Sequence, residues 1–348
     1  MTAETTMPAP SVAPKETRKR ILTGDRPTGR LHLGHYVGTL ENRVKLQDSF
    51  DTFLLVADYH MLTTRLEQLD EIGRNIRDVV LDNLAVGVDP EKVTIYLQSL
   101  VPQTAEIHLY FSMLVTVPRA QRIPTLKEVM RDHDIAQPSY GLLGYPILQA
   151  ADILCVKGDL VPVGRDQESH IELTREIARR FNELFAPVFP VPEALIPSDV
   201  LLPGTDGGSK MGKSLNNAID LADDPATVKR KVMGMYTDPA RIRATDPGKV
   251  EGNPVFAYHD AFNPDKAEIA ELKERYRGGR VGDVEVKQRL VAVLDAFLAP
   301  IRERRAMFER DPRIVEDIIR AGSDRARAET KATLHEMRAA MKLDYFGE

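Results

Sequence analysis

The alternation of apolar and polar segments predicts a sheet whose strands are separated by helices. Residues 66–84 are apolar at every third or fourth position, which is typical of an amphipathic helix, and Gly87 follows them as a stop signal. Strands separated by helices of this length pair in parallel, so we predict a Rossmann-like, doubly wound sheet that binds ligands at its carboxyl edge. Four short runs rich in β-branched residues are the predicted strands: residues 20–23, 52–57, 93–98 and 160–163.

The pattern changes after about residue 215, where strand signals stop and segments rich in Ala, Arg and Glu predict helices. The expected fold class is therefore α/β, with a helical C-terminal domain. Residues 1–18 are rich in Ala, Thr and Pro and lack an apolar core segment, so they predict a disordered tail rather than a signal peptide. The predicted boundaries are 19–205 for the Rossmann-like domain, 206–216 for a lysine loop and 217–348 for the helical region.

Composition and charge narrow the functional classes. The 348 residues are 43% hydrophobic, which is enough for a sizeable core, and the net charge is -5. An acidic chain is not a bulk nucleic-acid binder, so any RNA contact must use local basic patches. Cys155 is the single cysteine and cannot form an internal disulfide, which suits a reducing cytoplasm. No apolar run approaches the roughly 18 residues that span a bilayer.

A glycine-rich turn with two histidines follows the first predicted strand. It contains His32-Leu33-Gly34-His35, and a helix is expected to open there. The N-terminus of that helix would direct backbone N–H groups at an anion, and the two histidines could donate hydrogen bonds to phosphate. Gly34 would let a flat base stack on the backbone. Two histidines alone favour the alternative, a structural loop with two surface histidines.

A second glycine-rich segment, residues 204–214, allows two interpretations. From Gly207 onward it satisfies the P-loop pattern G-x-x-x-x-G-K-S. A P-loop needs a strong strand before it and a helix after it, whereas Pro203 and a polar loop precede this one. This context argues against a P-loop; the flanking glycines would give a mobile segment whose Lys210 and Lys213 could close on a triphosphate as negative charge develops. A P-loop NTPase is the alternative.

Three polar residues share one face of a predicted helix, since Tyr145, Gln149 and Asp152 are spaced i, i+4 and i+7. Asp152 lies among apolar residues and should be partly buried, so its carboxylate must be paired or hydrogen-bonded. It could accept an indole N–H or a phenol O–H from a substrate. The alternative is an aspartate capped by a neighbouring arginine.

The segment after the fourth predicted strand carries groups suited to a nucleotide. Gly164 would let a ribose approach the backbone, and Asp166 could hold its hydroxyls. Gln167 could reach the ammonium or carboxylate of an amino acid. The chemistry of the pocket leaves open whether the substrate carries an indole or a phenol ring.

The two glycine-rich segments together resemble the signatures of class I aminoacyl-tRNA synthetases. Residues 32–35 resemble His-Ile-Gly-His, and residues 210–214 resemble Lys-Met-Ser-Lys-Ser with Gly212 at its third position. Residues 24–40 and 141–182 resemble the tryptophanyl branch, and the resemblance extends over about residues 20–345.

The resemblance implies that L-tryptophan is activated with ATP and Mg²⁺ and transferred to tRNA(Trp). It also implies a cytoplasmic homodimer with a dimer-interface insertion at about residues 100–140. The helical region would bind the anticodon, with its last helices packing back on the catalytic domain. Neither a membrane nor DNA is an expected partner.

The resemblance also assigns roles to individual residues. Catalysis would fall to His32, His35, Lys210 and Lys213, and Mg²⁺ would be held by ATP rather than by side chains. The implied ATP-binding residues are Arg26, Pro27, Thr28, Gly34, His35, Gly164, Arg165, Asp166, Leu201, Lys210, Met211, Gly212, Lys213 and Ser214. The implied tryptophan-binding residues are Leu22, His60, Tyr145, Gln149, Asp152, Val161, Val163 and Gln167.

Departures from the family pattern indicate a divergent branch, such as a second, auxiliary copy. Arg26, Gln149 and Arg165 stand where the family often has Gln, Met and Glu, and Arg131 is the candidate replacement for a lysine usual near residue 129. Alternatives are a tyrosyl-type enzyme, a nucleotidyltransferase for another small acid, and a regulatory paralogue that binds tryptophan and ATP. Candidate contacts with tRNA phosphates are Lys229, Arg230, Lys231, Arg241 and Arg243.

Overall fold

The computed structural model describes residues 18–67, 69–132, 134–196, 202–208, 211–212, 215–239, 241, 243 and 245–345. The side chain of Asp166 is also outside the described part. Several predictions fall beyond these limits, namely those for the tail up to residue 17 and for Leu201, Lys210, Lys213 and Ser214.

Five parallel strands form one sheet in the order β3-β2-β1-β4-β5, which confirms the predicted doubly wound arrangement. The chain reverses its winding direction between β1 and β4, so a crevice is expected at their carboxyl ends. The fifth strand was not predicted, because its three residues are only partly buried and lack a β-branched run. The strands are β1 (Arg20–Asp25), β2 (Asp51–Val56), β3 (Val93–Leu97), β4 (Leu160–Pro162) and β5 (Glu193–Leu195).

Helices cover both faces of this sheet and make up the regular structure of the described chain beyond β5, as predicted. A π-helical turn, Tyr36–Leu40, joins the first helix to the second. The helices are α1 (Leu33–His35), α2 (Glu41–Leu46), α3 (Asp58–Leu62), α4 (Ile72–Val86), α5 (Gln103–Ser112), α6 (Val117–Gln121), α7 (Pro124–Asp132), α8 (Tyr140–Cys155), α9 (Glu168–Leu184), α10 (Pro225–Met233), α11 (Pro254–Phe262), α12 (Lys266–Arg277), α13 (Asp283–Glu309) and α14 (Pro312–Ala340).

The predicted amphipathic helix is shorter than its sequence pattern. α4 begins at Ile72, after a short 3₁₀ turn, and Leu66 and Leu69 are 68% and 51% exposed. The prediction was wrong for these two leucines, because their spacing continues the helical period without any burial behind it. Gly87 ends α4 with φ 108°, a conformation that glycine adopts without steric cost.

The core lies on both faces of the sheet, because successive strand residues point to opposite sides. Leu54 and Val56 pack toward the side of α4 and α13, whereas Phe53 and Leu55 pack toward the side of α8 and α9. Between residues 18 and 345, no described helix is long and apolar enough to cross a membrane.

The last two helices return to the sheet. α13 packs on α4, and α14 packs along β3 at the outer edge of the sheet. The approach of α14 is close, since a Cβ atom at Gly322 would lie 1.9 Å from the carbonyl oxygen of Ile95. The backbone N–H of Leu97 donates to Ser323 Oγ at 3.2 Å, so α14 supplies an acceptor to the edge strand.

Candidate active site

A cavity of about 450 Å³ opens at the carboxyl ends of β1 and β4, within the size range of small-molecule sites. A larger groove of about 1130 Å³ lies at the amino ends of the strands and is lined by charges of both signs, among them Arg20, Asp51 and Lys92. Ligands of open α/β sheets bind at the carboxyl edge, so we place the candidate site in the smaller cavity. Its lining includes all eight residues expected to bind tryptophan, together with Arg26 and Gly164.

Asp152 forms the buried end of this cavity. Its side chain is 2% exposed, and Oδ2 lies 2.8 Å from His60 Nε2, which must donate because a carboxylate only accepts. Gln98 Nε2 lies 2.8 and 2.9 Å from the two carboxylate oxygens. The alternative of a capping arginine is therefore wrong. The partners come from the short helical elements that follow β2 and β3, and neither is near Asp152 in the sequence.

A second polar network surrounds the Tyr145 hydroxyl. That hydroxyl donates to Thr125 Oγ1 at 2.8 Å and lies 3.2 Å from Nε2 of the buried His170. The other ring nitrogen of His170 is hydrogen-bonded to Gln149 Oε1, and Nε2 is also bonded to the Thr125 hydroxyl. With the Gln149 amide in this orientation, His170 Nδ1 donates to Oε1, because an amide oxygen can only accept. Gln149, which departs from the family pattern, thus has a specific hydrogen-bond partner in His170.

The two signature segments meet beside the cavity. The backbone N–H of His32 donates to His35 Nδ1 at 3.1 Å, and the ring centroids are 3.7 Å apart. A Cβ atom at Gly34 would lie 3.0 Å from the His32 ring and 3.3 Å from Met211 Sδ. Met211 belongs to the lysine loop, so the described parts of both segments are in contact.

The chain after the lysine loop strengthens this contact. The backbone N–H of Leu33 donates to Ile219 at 2.9 Å, and that of Leu221 donates to Leu31 at 2.9 Å. The next α-helix begins only at Pro225, so the segment that matches the P-loop pattern does not lead directly into an α-helix. The P-loop alternative therefore lacks its required structural context.

Comparisons with known proteins agree with this geometry. A family model described as "tRNA synthetases class I (W and Y)" matches residues 14–299. The chain belongs to this family. The chain is 56% identical to the tryptophan–tRNA ligase of Treponema pallidum, over 93% of this chain and 97% of that protein. It is 51% identical to that of Chlamydia caviae, over 94% and 96% of the two chains.

Solved structures give the same result. The Campylobacter jejuni tryptophanyl-tRNA synthetase, complexed with ADP and tryptophan, has a TM-score of 0.83 at 30% identity. The alignment covers 93% of the present chain and 99% of the Campylobacter jejuni chain. The similarity therefore extends over both the sheet and the helical region, which confirms the predicted family and fold.

Several expected ATP-binding residues of this synthetase lie outside the lining of the cavity. Arg165 is exposed in the turn that follows β4, and Gly212 donates its backbone N–H to Asn217 Oδ1 at 2.8 Å. Roles in ATP binding remain predictions for the whole set. The members that do not line the cavity and are described are Pro27, Thr28, Gly34, His35, Arg165, Met211 and Gly212.

One arginine prediction needs correction and one stays a prediction. Arg131 does not line the cavity, but its exposed guanidinium lies 3.2 Å from the carboxylate of Asp132, which does, so its proposed replacement of the family lysine stays a prediction. Arg241 is 7% exposed, lies 4.1 Å from the ring centroid of Tyr276 and pairs with Asp283 at 3.0 Å. Arg241 is therefore part of the interior and is not available to a tRNA phosphate.

A buried arginine supports the strand end that carries the first signature. Arg43 donates to Asp25, to Thr23 Oγ1 at 3.1 Å and to Asn83 Oδ1 at 3.0 Å. Burial raises the pKa of Asp25, but the Arg43 guanidinium and the hydrogen bonds outweigh it and hold that pKa below its usual value. Asp25 lines the cavity, so this buried pair shapes its wall.

The helical region also contacts the first signature through buried charges. The backbone N–H of Leu31 donates to Asp82 Oδ2 at 2.6 Å, and Arg305 of α13 donates to Asp82 Oδ1 at 2.8 Å. Arg305 also contacts Asp78 at 2.6 Å. Burial raises the pKa of Asp82 to about 7, although Arg305 and the Leu31 N–H act against the rise.

This pKa predicts a pH-dependent stability. The pKa of Asp82 is higher in the folded state than in the unfolded chain. Its contribution to the free energy of unfolding is therefore fully present below about pH 4 and is lost as the pH rises through about 7. We expect the unfolding temperature of wild type, relative to that of Asp82→Asn, to fall between about pH 4 and 7. Thermal unfolding at several pH values measures this difference. Parallel curves for the two proteins would contradict the prediction.

Proposed function

We propose that this synthetase activates L-tryptophan with ATP and transfers the tryptophanyl group to tRNA(Trp). One observation carries the choice of substrate: a buried carboxylate, Asp152, faces a cavity of about 450 Å³ that is lined by the eight residues expected to bind tryptophan. The high identity to tryptophan–tRNA ligases over nearly the whole chain supports the same substrate over tyrosine.

The first step is an in-line attack of the tryptophan carboxylate on the α-phosphate of ATP, with release of pyrophosphate. The carboxylate is already ionised, so no general base is needed, and catalysis rests on positioning and charge stabilisation. In our proposal His32, His35, Lys210 and Lys213 supply the positive and hydrogen-bonding groups. Among the described residues no group of three or more His, Cys, Asp or Glu is arranged to hold a metal ion. We propose that Mg²⁺ enters with the phosphates of ATP.

The second step transfers the aminoacyl group to a terminal ribose hydroxyl of tRNA. We propose that the helical region, residues 217–348, reads the anticodon, in the cytoplasm where the tRNA is used. Lys229, Arg230 and Arg243 are exposed and are retained as candidate phosphate contacts. Lys231 is a weaker candidate, since it already pairs with Asp223 at 2.6 Å.

A homodimer is part of the proposal. Three apolar side chains within the predicted interface are exposed: Leu109 at 52%, Met113 at 67% and Val117 at 56%. A contiguous exposed apolar patch is typical of a protein contact, and we propose that these side chains contribute to one. They lie in the segment from α5 to α6, inside the expected insertion at residues 100–140.

Tryptophan-dependent pyrophosphate exchange tests the function. We expect labelled pyrophosphate to enter ATP only when tryptophan is present, and tRNA(Trp) to be charged. The chain contains no tryptophan, so bound substrate can also be titrated by its own fluorescence. Phosphate release without tryptophan would indicate an NTPase, binding without exchange a regulatory paralogue, and preference for tyrosine a tyrosyl enzyme.

Replacement of Gly34 by alanine is expected to raise the KM for ATP about 10-fold. The added methyl group would press on the His32 ring and on Met211, and displacing packed atoms typically costs about 1–3 kcal/mol. Pyrophosphate exchange at varied ATP concentration measures the effect. Gly38→Ala is the matched control, because a Cβ atom there meets nothing within 4 Å. Equal effects of both substitutions would refute the role of this contact.

A further inference from the structure

Gln98 lies behind the candidate tryptophan site and does not line the cavity. It follows β3 and is fully buried. Its amide oxygen accepts the backbone N–H of Tyr59 at 3.0 Å. That bond distinguishes the oxygen of the amide from its nitrogen, so Nε2 faces Asp152.

The Gln98 amide limits how many further hydrogen bonds the Asp152 carboxylate can accept. Gln98 Nε2 reaches both carboxylate oxygens, and His60 Nε2 reaches Oδ2. An ionised carboxylate has about four acceptor positions, and these contacts engage three of them. One acceptor position of Asp152, which lines the cavity, is therefore left.

Three donors near Asp152 are already engaged. The Gln98 amide and His60 Nε2 donate to Asp152, and the Tyr145 hydroxyl donates to Thr125 Oγ1. An indole N–H needs only an acceptor, whereas a phenol hydroxyl both donates and accepts. A phenol oxygen would therefore receive no hydrogen bond from these three groups, whereas an indole N–H needs none.

We propose that Gln98 is a positioning residue that determines specificity: it holds the Asp152 carboxylate so that its one remaining acceptor position faces a ring N–H. The proposal rests on the proposed function and explains how the pocket selects an indole. Gln98 acts through Asp152 and through the backbone of Tyr59, and it does not touch the substrate itself.

The test compares two substrates that differ only in the group that Asp152 would bind. The first is L-tryptophan, and the second is its analogue with sulfur in place of the indole N–H, 3-(benzothiophen-3-yl)alanine. Pyrophosphate exchange gives kcat/KM for each with wild type, Gln98→Met and Gln98→Glu. Gln98→Met has a similar volume but cannot donate, and Gln98→Glu keeps the acceptor for Tyr59 while placing a second carboxyl against Asp152.

For wild type we expect the analogue to be used at least about 100-fold less well than tryptophan. Gln98→Met should lower kcat/KM for tryptophan about 10- to 100-fold and that for the analogue less than about threefold, so that discrimination collapses. Gln98→Glu should lose at least as much activity with tryptophan, because two carboxylates repel.

The outcomes separate the two proposals. Equal losses for tryptophan and the analogue in both variants would show that Gln98 is merely structural and would overturn the inference. Efficient use of tyrosine by wild type would also overturn it. Wild type that shows no tryptophan-dependent exchange would instead refute the proposed function, and the inference with it. Circular dichroism of each variant verifies that the fold is intact.

Discussion

Replacement of Asp152 by alanine is expected to lower kcat/KM for tryptophan about 10³-fold and to leave the KM for ATP within about twofold. The change leaves the indole N–H, His60 and Gln98 without their shared acceptor at a site that is 2% exposed. Unsatisfied buried donors cost about 1–3 kcal/mol each, and sites built around one polar contact discriminate strongly. Pyrophosphate exchange at varied tryptophan and varied ATP separates the two effects.

Asp132 supplies the matched control. Its carboxylate also lines the cavity, but its side chain is 59% exposed and pairs with Arg131. Asp132→Ala should change kcat/KM for tryptophan by less than about threefold, because an exposed ion pair contributes little. Normal activity of Asp152→Ala would disprove the assignment of the pocket, and a similar loss in both variants would show that only net charge matters.

Replacement of Arg43 by methionine is expected to lower the free energy of unfolding by about 3–5 kcal/mol. The apolar part of the side chain is kept, but buried Asp25 loses its guanidinium partner, and an uncompensated buried charge is strongly destabilising. Urea unfolding followed by circular dichroism measures the loss. Asn83 loses a donor as well, since its Oδ1 accepts from Arg43 at 3.0 Å.

The double variant with Asp25→Asn tests this cause. Without the carboxylate no charge is left unpaired, so much of the lost stability should return. A pH series gives a second test. The pKa of Asp25 is held below its usual value, so the contribution of the pair is present above about pH 4 and is lost as the pH falls through that lower pKa. A double variant as unstable as the single one would contradict the explanation.

Much of the fold could be predicted because the buried strands are strongly patterned. Residues 52–57 and 93–98 are apolar runs, and their predicted limits agree with β2 and β3 to within one residue at each end. The start of α4 was missed, since Leu66 and Leu69 repeat the helical period although neither is buried. β5 was missed because its pairing with β4 is set by neighbouring elements and not by its own composition.

Residue spacing alone could predict the candidate site only where its residues share a local segment; the family resemblance supplied the others, such as Leu22 and His60. Tyr145, Gln149 and Asp152 could be grouped because helical spacing alone brings them to one face. Their partners could not be found in this way, because Gln98 and His170 come from other elements, and no period in the sequence relates them to α8. A buried polar residue indicates that a partner exists, but it does not indicate which one.

The close packing of α14 on β3 makes the C-terminal helix important for keeping the molecule from aggregating. β3 is an edge strand. The side of β3 that does not pair with β2 is a template to which a strand of another molecule could add. Gly322 allows the helix backbone to lie against the Ile95 carbonyl, and Ser323 accepts the Leu97 N–H. α14 therefore covers this side of β3. A chain truncated before Pro312 would expose this side of β3 and would be prone to aggregate through strand addition.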